Sequence, residues 1–523
     1  MSAVNRFTKA VSLRSRRERS AAIAMAAGGL AALGVLAMTG EPGPALTPDS
    51  VQYLGAARSL VEEGTLRTPH LYDWWAADTL RPLSHYPPGL SVALAAPLLL
   101  GVPALESARV LMMVSAFVTV GIVVYVVSAA AGLFVAALVG TAVMMTAAIA
   151  MPHRFVWSEP LFLVVLVLTL ACMVQRPRSP LLYGALTAMA TMVRYAGIFV
   201  APAVVLWAML QPGSVRLRIR RGLLAALPIA LTVGAWMVSR PRFTEGRLSA
   251  GMSDEPIAVL AEGFNTISRW LLPHAELVLG RMWRGPIIGA LVVGLVALTV
   301  RELRRLRHAS TDTARGDSIV AMRLVGAAAA LAASYLLFVL VSTMVLDHRL
   351  ALDDRMLAPG ILLLEIGLAV VLAAWWRSLG ARTRAAGAVA FIGWFCASAL
   401  LTIRTTAAAT EHLAMSASGG ERGSALHWVR SAGRRHTLYS NSPEEIYLEA
   451  DRVARFPPWH RDQMLPRVST LRAFRDTLVR KRGALVLLRS ADQRSTAWDH
   501  TLPRLLSLRM VRQSEDGEVW LPE

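Results

Sequence analysis

The residues best suited to chemistry are ionisable side chains that lie beside or inside long apolar segments. Asp49 precedes residues 50–60, in which apolar residues recur at helical spacing. A carboxylate at this place has two interpretations. It caps the start of the helix, or it acts as a general base that accepts a proton from a hydroxyl group. The sequence leaves both open, and Asp49 is our candidate catalytic residue.

Two arginines are candidates for binding an anion. Arg194 lies inside a long apolar stretch, where a cation is costly unless it pairs or lines a wet cavity. Arg355 stands at the entry to another apolar segment. A guanidinium group matches phosphate oxygens with two parallel hydrogen bonds, which favours a phosphate site. The structural alternatives are an ion pair for Arg194 and snorkelling to the membrane surface for Arg355.

Other polar residues in the same outer segments are candidates for binding substrate. The first loop also holds His70, Asp73 and Asp78, but no ligand spacing such as His-x-x-x-His is present. We therefore predict no metal site and no firm cofactor, although a divalent cation stays open. The candidate substrate-binding residues are Tyr53, His85, Tyr86, Glu159, Tyr195 and Asp354.

The composition predicts a membrane protein. Of 523 residues, 55% are hydrophobic and 17% are charged, whereas soluble proteins carry about 25% charged residues. This excludes a soluble multidomain enzyme. Because a spanning helix needs about 20 mainly apolar residues, we predict an all-α polytopic bundle of about 11 transmembrane helices. The predicted spans are 20–40, 107–129, 131–151, 160–175, 181–194, 196–211, 222–239, 286–300, 319–345, 356–376 and 384–406.

The net charge of +19 first suggests a nucleic acid partner. Its arginines, however, concentrate before the first span and in alternate connections between spans, as the positive-inside rule requires of cytoplasmic segments. We therefore predict no nucleic acid partner and a multi-pass protein of the inner (plasma) membrane with a cytoplasmic N-terminus. The segment 88–104 contains three prolines and is predicted to be an interfacial or re-entrant helix. The arginine-rich connections are 176–178, 216–221, 301–307 and 377–384.

The chain divides by composition into two predicted domains. Residues 1–409 form a transmembrane domain, whose first extracytoplasmic loop is 41–106. Residues 410–523, which we call the tail domain, alternate short apolar runs with charged, helix-like stretches. This pattern predicts a small soluble α/β domain outside the cytoplasm.

Several short motifs, in this order and topology, resemble the GT-C superfamily of integral-membrane glycosyltransferases. The resemblance is to the bacterial branch related to protein O-mannosyltransferases and lipid A aminoarabinose transferases, and it covers nearly the whole chain. The motifs are Pro-Asp-Ser-Val-Gln-Tyr (48–53), Tyr-Pro-Pro-Gly-Leu (86–90), Glu-Ser-Ala-Arg (106–109), Trp-Ser-Glu-Pro-Leu-Phe (157–162), Val-Arg-Tyr-Ala-Gly-Ile (193–198), Asp-Asp-Arg-Met-Leu-Ala-Pro (353–359) and the tail segment 439–452.

The resemblance implies an inverting glycosyltransferase of GT-C type. A polyprenyl-phosphate sugar, delivered from the membrane lipid, would be the donor, and the acceptor would be an extracytoplasmic hydroxyl of a protein, lipid or polysaccharide. Asp49 would deprotonate or orient that hydroxyl, while Arg194 and Arg355 would hold the leaving phosphate. Related enzymes often carry a second acid in the second outer loop, where this chain has Glu159. The alternative is a transporter or flippase of lipid-linked glycans, although no repeated halves are apparent.

Overall fold

The structure, a computed structural model, describes most of the chain and divides it into two compact units. The membrane unit comprises Met1–Met38 and Arg109–Thr406, and the loop–tail unit comprises Thr39–Ala108 and Ala407–Glu523. The predicted boundary at 409 and 410 stays a prediction, and in this division the first loop groups with the tail. The described residues are 3–40, 43–69, 74–75, 80–239, 256–274, 281–307, 312–346, 352–413, 425–431, 435–458, 467–489 and 497–523.

The membrane unit is built from helices. They are Ala3–Met38, Ala104–Ala131 (from Arg109 on), Leu133–Met145, Ala147–Ala150, Glu159–Gln175, Pro180–Val193, Ala201–Leu210, Val215–Ser239, Pro256–Leu271, Arg281–Arg307, Asp312–Val341, Asp354–Arg377 and Ala381–Leu413. Short 3-10 turns at Met151–Arg154 and Tyr195–Val200 and a π turn at Ser342–Leu346 connect some of them. All eleven predicted spans fall on these elements.

The lengths of these helices confirm a multi-pass membrane protein. Among the described residues, seven helices are long and apolar enough to cross a membrane, and a bent pair makes an eighth candidate. The remaining three predicted spans, 160–175, 181–194 and 196–211, correspond to shorter apolar helices. The number of crossings and the orientation therefore stay predictions.

The predicted span 131–151 is not one continuous helix, because the helix breaks at Thr146. Leu133–Met145 and the following residues 147–154 are bent by 70°. Thr146 is extended, and its hydroxyl donates to a carboxylate oxygen of Glu365 at 2.5 Å. The same oxygen accepts from the indole Nε1 of Trp270 at 2.8 Å. Glu365, which the sequence left without a role, thus joins the break to two other helices.

Two helices of the membrane unit approach so closely that a side chain larger than glycine has no room. A Cβ added at Gly184 would lie 2.3 Å from the carbonyl oxygen of Ala225. Helix contacts in membranes commonly use small residues in this way, because association depends on close packing. Gly184 therefore fixes the spacing of Pro180–Val193 and Val215–Ser239.

We expect Gly184→Ala to destabilise the membrane unit, because the obstructing atom belongs to the backbone and the helices must separate. The unfolding midpoint of the full chain in mixed micelles, titrated with a denaturing detergent, measures the effect. Gly234→Ala is the matched control, since a Cβ there meets no atom within 4 Å. Equal midpoints for the two variants would contradict the interpretation.

The loop part of the loop–tail unit begins with the helix Pro48–Glu63. The antiparallel strands β1 (Arg67–Pro69) and β2 (Leu80–Pro82) follow, with Thr68 opposite Arg81. The next helix, Gly89–Leu99, has 11 residues, which is too short to cross a bilayer alone. The segment predicted to be interfacial is therefore a short apolar helix.

The tail domain is a small α/β fold, as predicted. Its five-stranded sheet has the order β4-β3-β5-β7-β6, in which β3, β4 and β5 are parallel and β7 is antiparallel to β5 and β6. Apolar residues of β5 are buried on both faces of the sheet. The strands are β3 (Thr437–Ser440), β4 (Ala454–Arg455), β5 (Gly483–Leu488), β6 (Leu508–Ser514) and β7 (Gly517–Pro522), and the helices are Ala425–Ser431, Pro443–Ala450, Val468–Arg480 and Ala497–Leu505.

Glu445 of the tail domain is a carboxyl group buried at an energetic cost. Glu445 is 4% exposed, and its Oε2 has no hydrogen-bond partner among the described residues. Burial raises the pKa of Glu445 to about 7, with Glu449 and Asp516 adding repulsion and a hydrogen bond from Ser442 opposing the shift. The folded domain therefore favours the protonated acid.

We expect the tail domain to lose stability as the pH rises from about 4.5 to 7. A folded pKa above the unfolded one stabilises the fold below the unfolded pKa, and a shift of this size corresponds to about 3 kcal/mol. Glu445→Gln should remove this part of the pH dependence. Hydrogen exchange of β3 and β5 amides in the full chain measures it. Exposed Glu515→Gln is the control, and an unchanged pH slope in Glu445→Gln would refute the assignment.

Candidate functional site

Three predicted site residues of the membrane unit meet at one buried carboxylate. Glu159 has 0% side-chain exposure, and its Oε1 accepts from Nη1 of Arg194 at 2.5 Å. Nε of Arg355 donates to the same oxygen. The side chains of Arg194 and Arg355 are 14% and 21% exposed. We call Glu159, Arg194 and Arg355 the arginine pair site.

Local structure explains how Glu159 and Arg194 reach each other. Glu159 is the first residue of the helix Glu159–Gln175, with proline at the next position, where a missing N–H costs nothing. Arg194 follows the last residue of Pro180–Val193 in an extended conformation. The chain then turns tightly, since a Cβ on Gly197 would lie 2.4 Å from the carbonyl carbon of Ala190. Both side chains thus come from ends of helices.

Arg355 is held by a helix start and an aromatic ring. It follows Asp353, whose carboxylate accepts from the backbone N–H of Met356 at 2.9 Å and caps the helix Asp354–Arg377. Its guanidinium carbon lies 4.2 Å from the ring centroid of Trp157. Cation–π contact of this kind is worth about 0.5–2 kcal/mol. Arg355 is therefore fixed in place and does not extend along the surface.

The arginine pair site carries one more positive charge than negative. Two guanidinium groups share one buried carboxylate, so the site retains a net charge of +1 when all three are ionised. Nε of Arg194 has no hydrogen-bond partner among the described residues. A buried donor without a partner is costly, and a phosphate oxygen would satisfy it. The chemistry of the site fits an anion.

Asp49 is not the cap of its helix. The N-cap is Thr47, which exchanges two hydrogen bonds with Ser50: its N–H donates to Oγ of Ser50 at 3.0 Å, and the two hydroxyl oxygens are 3.1 Å apart. Asp49 lies two residues into the helix and accepts at Oδ1 from the hydroxyl of Tyr86 at 2.6 Å. The capping interpretation is therefore wrong, and the carboxylate is oriented by Tyr86.

The aromatic neighbours of Asp49 form a small cluster within the loop–tail unit. Tyr53, one turn beyond Asp49, is 2% exposed and lies 5.0 Å from Tyr86, ring centroid to ring centroid. His85 is exposed and meets Tyr86 edge to face at 4.8 Å. Tyr53 supports the ring of Tyr86, which is half-buried, while His85 is exposed. Their predicted contact with substrate stays a prediction.

The remaining two predicted residues have partners outside the arginine pair site. The hydroxyl of Tyr195 accepts from Nε1 of Trp236 at 2.9 Å. Asp354 pairs with Arg269 at 3.2 Å. Both contacts connect elements of the membrane unit. Substrate binding by Tyr195 and Asp354 also stays a prediction.

The part of the chain that the structure describes contains no group of three or more His, Cys, Asp or Glu side chains that could hold a metal ion. His70, Asp73 and Asp78 lie outside the described residues. Sequence reasoning missed Trp157 as a partner of Arg355. The available signal was its place two residues before Glu159 in Trp-Ser-Glu.

Comparison with solved structures confirms the predicted fold class, a polytopic helical membrane bundle. No protein-family model and no curated protein matches the sequence. The chain is similar to the oligosaccharyltransferase of Archaeoglobus fulgidus in complex with zinc and sulfate, with a TM-score of 0.50, 11% identity and coverage of 95% of this chain and 73% of that one. ArnT from Cupriavidus metallidurans also matches, with a TM-score of 0.46, 11% identity and coverage of 94% and 96%. At these identities, the similarity of the oligosaccharyltransferase establishes the fold alone.

We expect Glu159→Ala to lower the free energy of unfolding by about 3–5 kcal/mol, because it leaves two cations without their shared counter-ion. Unfolding of the full chain in mixed micelles, titrated with a denaturing detergent, measures the change. Thr169→Ala is the matched control, since this buried hydroxyl of the same helix donates only to Val165 one turn away. A loss no larger than that of Thr169→Ala would contradict the role of Glu159 as counter-ion.

Proposed function

We propose that the protein is an inverting glycosyltransferase. It transfers a sugar from a polyprenyl-phosphate donor to an extracytoplasmic hydroxyl group. The observation that carries the proposal is the arginine pair site, in which Arg194 and Arg355 share the buried carboxylate of Glu159. The fold supports the proposal, because it is also the fold of a solved oligosaccharyltransferase.

The charge of the arginine pair site suits the leaving group. A sugar joined to a polyprenyl phosphate is a phosphodiester with one negative charge. Breaking the bond between the anomeric carbon and the phosphate oxygen leaves a monoester, whose charge approaches −2. A fixed positive site therefore binds the transition state more strongly than the donor, which is the condition for raising kcat. Glu159 keeps both guanidinium groups in place before the donor arrives.

Asp49 is the proposed base. The acceptor hydroxyl attacks the anomeric carbon from the face opposite the phosphate, which inverts the configuration. Its proton passes to the carboxylate of Asp49, whose orientation is set by the hydrogen bond from Tyr86 at 2.6 Å. Proton transfer to a positioned side chain contributes about 10²–10⁴-fold in rate. The acceptor would be a protein, a lipid or a polysaccharide.

We expect Asp49→Asn and Arg194→Ala each to lower kcat by at least about 100-fold, because one removes the base and the other removes an anion-stabilising group. Membranes containing the full chain are supplied with labelled polyprenyl-phosphate sugars, and transfer to envelope acceptors is measured. Glu62→Gln and Arg218→Ala are controls, since both replace exposed charges of similar type. Expression and detergent-resistant folding are checked for every variant.

The outcome separates the two classes of function. If Asp49→Asn and Arg194→Ala both transfer sugar at the wild-type rate, the assignment of Asp49 and Arg194 to the catalytic site is wrong. If the wild type moves a lipid-linked sugar across sealed vesicles without transferring it, the protein is a transporter and the proposal fails.

A further inference from the structure

We propose that the tail domain holds the helix Pro48–Glu63, which bears Asp49, in position. Tyr447 is the residue of the tail domain that positions this helix. This inference rests on the proposed function, because it concerns how the base is placed. All the contacts that carry it lie within the loop–tail unit. They join two segments that are far apart in the sequence: the helix Pro48–Glu63 with strand β1, and the helix Pro443–Ala450.

The closest contact is at Gly55, in the middle of the helix that carries Asp49. A Cβ added there would lie 2.8 Å from Cδ of Pro69 and 3.2 Å from the hydroxyl of Tyr447. Glycine in a helix interior is unfavourable by about 0.5–1 kcal/mol relative to alanine. Its presence allows the helix to pack directly against both residues.

Tyr447 is anchored on the tail side of this contact. It is 7% exposed, and burial raises the pKa of its phenol, which keeps the group uncharged. The guanidinium carbon of Arg58 lies 5.9 Å from the ring centroid of Tyr447, so the helix contacts the ring one turn beyond Gly55 as well. Tyr447 therefore contacts two successive turns of the helix.

The ion pair next to Tyr447 adds little. Nη1 of Arg58 and Oδ1 of Asp451 are 3.5 Å apart, and the side chain of Asp451 is 85% exposed. Exposed pairs of this kind contribute about 0–1 kcal/mol, because water screens them. Tyr447 is therefore the residue to substitute, and not Arg58 or Asp451.

The same face of the helix is also tied to strand β1 through Gln52, three residues before Gly55. The amide Nε2 of Gln52 donates to the carbonyl oxygen of Pro69 at 3.0 Å, and Thr68 donates through Oγ1 to Oε1 of Gln52 at 2.5 Å. Residues that follow β1 contact the tail domain too. The hydroxyl of Tyr439 donates to the carbonyl oxygen of Trp74 at 3.2 Å, and the Trp74 ring meets Phe474 edge to face at 5.5 Å.

These contacts set the angle of a short rigid element whose first turn carries the base. Asp49 and Gly55 are six residues apart, or about 9 Å along the helix axis. A tilt at Gly55 therefore displaces the carboxylate relative to Tyr86. A general base must stay within about 2.6–3.2 Å of the oxygen whose proton it accepts, and a misplacement of about 1 Å costs on the order of 100-fold in rate. Loss of Tyr447 should consequently reduce catalysis without removing any reacting group.

The test compares Tyr447→Ala, Tyr447→Phe and Val519→Ala in the full chain. Val519 is a buried core residue of the tail domain on β7, so its variant weakens the domain without touching the helix. Two readouts are measured: the hydrogen exchange of amides in residues 48–63, and the kcat and donor KM for sugar transfer. Tyr447→Phe keeps the ring and serves as the conservative variant.

We expect Tyr447→Ala to accelerate exchange in residues 48–63 and to lower kcat by about 10- to 100-fold, with the donor KM changed less than twofold. Tyr447→Phe should restore both, and Val519→Ala should change both less than Tyr447→Ala does. Wild-type exchange in Tyr447→Ala, or a kcat loss no greater than that of Val519→Ala, overturns the inference. If the wild type transfers no sugar, the proposed function fails, and the exchange data alone decide whether Tyr447 holds the helix.

Discussion

The membrane unit depends on one electrostatic constraint, the burial of Glu159 with two guanidinium groups. An unpaired charge in a low-dielectric interior is too costly to keep, so each of the three groups requires the others. Glu159 begins one helix, Arg194 ends another, and Arg355 lies at the start of a third. Because the three groups are bound to one another, the ends of three helices are bound as well.

The hydropathy of the sequence was sufficient to predict the class of fold, but it did not show where a helix breaks. The predicted spans fell on helical segments because lipid leaves no alternative for an apolar backbone segment. The break at Thr146 was not predictable, since it depends on the carboxylate of Glu365, which is 219 residues away in the chain. The role of Glu159 was not predictable from the local sequence either. Its residue type and loop were visible in the sequence, whereas its function as the shared counter-ion depends on contacts with helices that follow later.

The helix that carries Asp49 shows a second limit of local reasoning. The residues after Asp49 predicted the helix correctly, and aspartate is a common N-cap. However, Thr47 and Ser50 pair with each other and satisfy the start of the helix, which releases Asp49 from that role. Thr47, two residues upstream, determines where the helix begins, and an interpretation of Asp49 alone misses it. Tyr86, its actual partner, comes from the far end of the loop.

The two units separate the two kinds of chemistry that the proposed reaction needs. A general base must have its carboxylate held toward the attacking hydroxyl, and Asp49, oriented by Tyr86, belongs to the loop–tail unit. A site that stabilises a growing negative charge is stronger in a low-dielectric setting, and the arginine pair site belongs to the membrane unit. In the proposed reaction the tail domain has a direct part, because the contacts of Tyr447 with Gly55 and Arg58 supply the rigidity that holds the Asp49 helix.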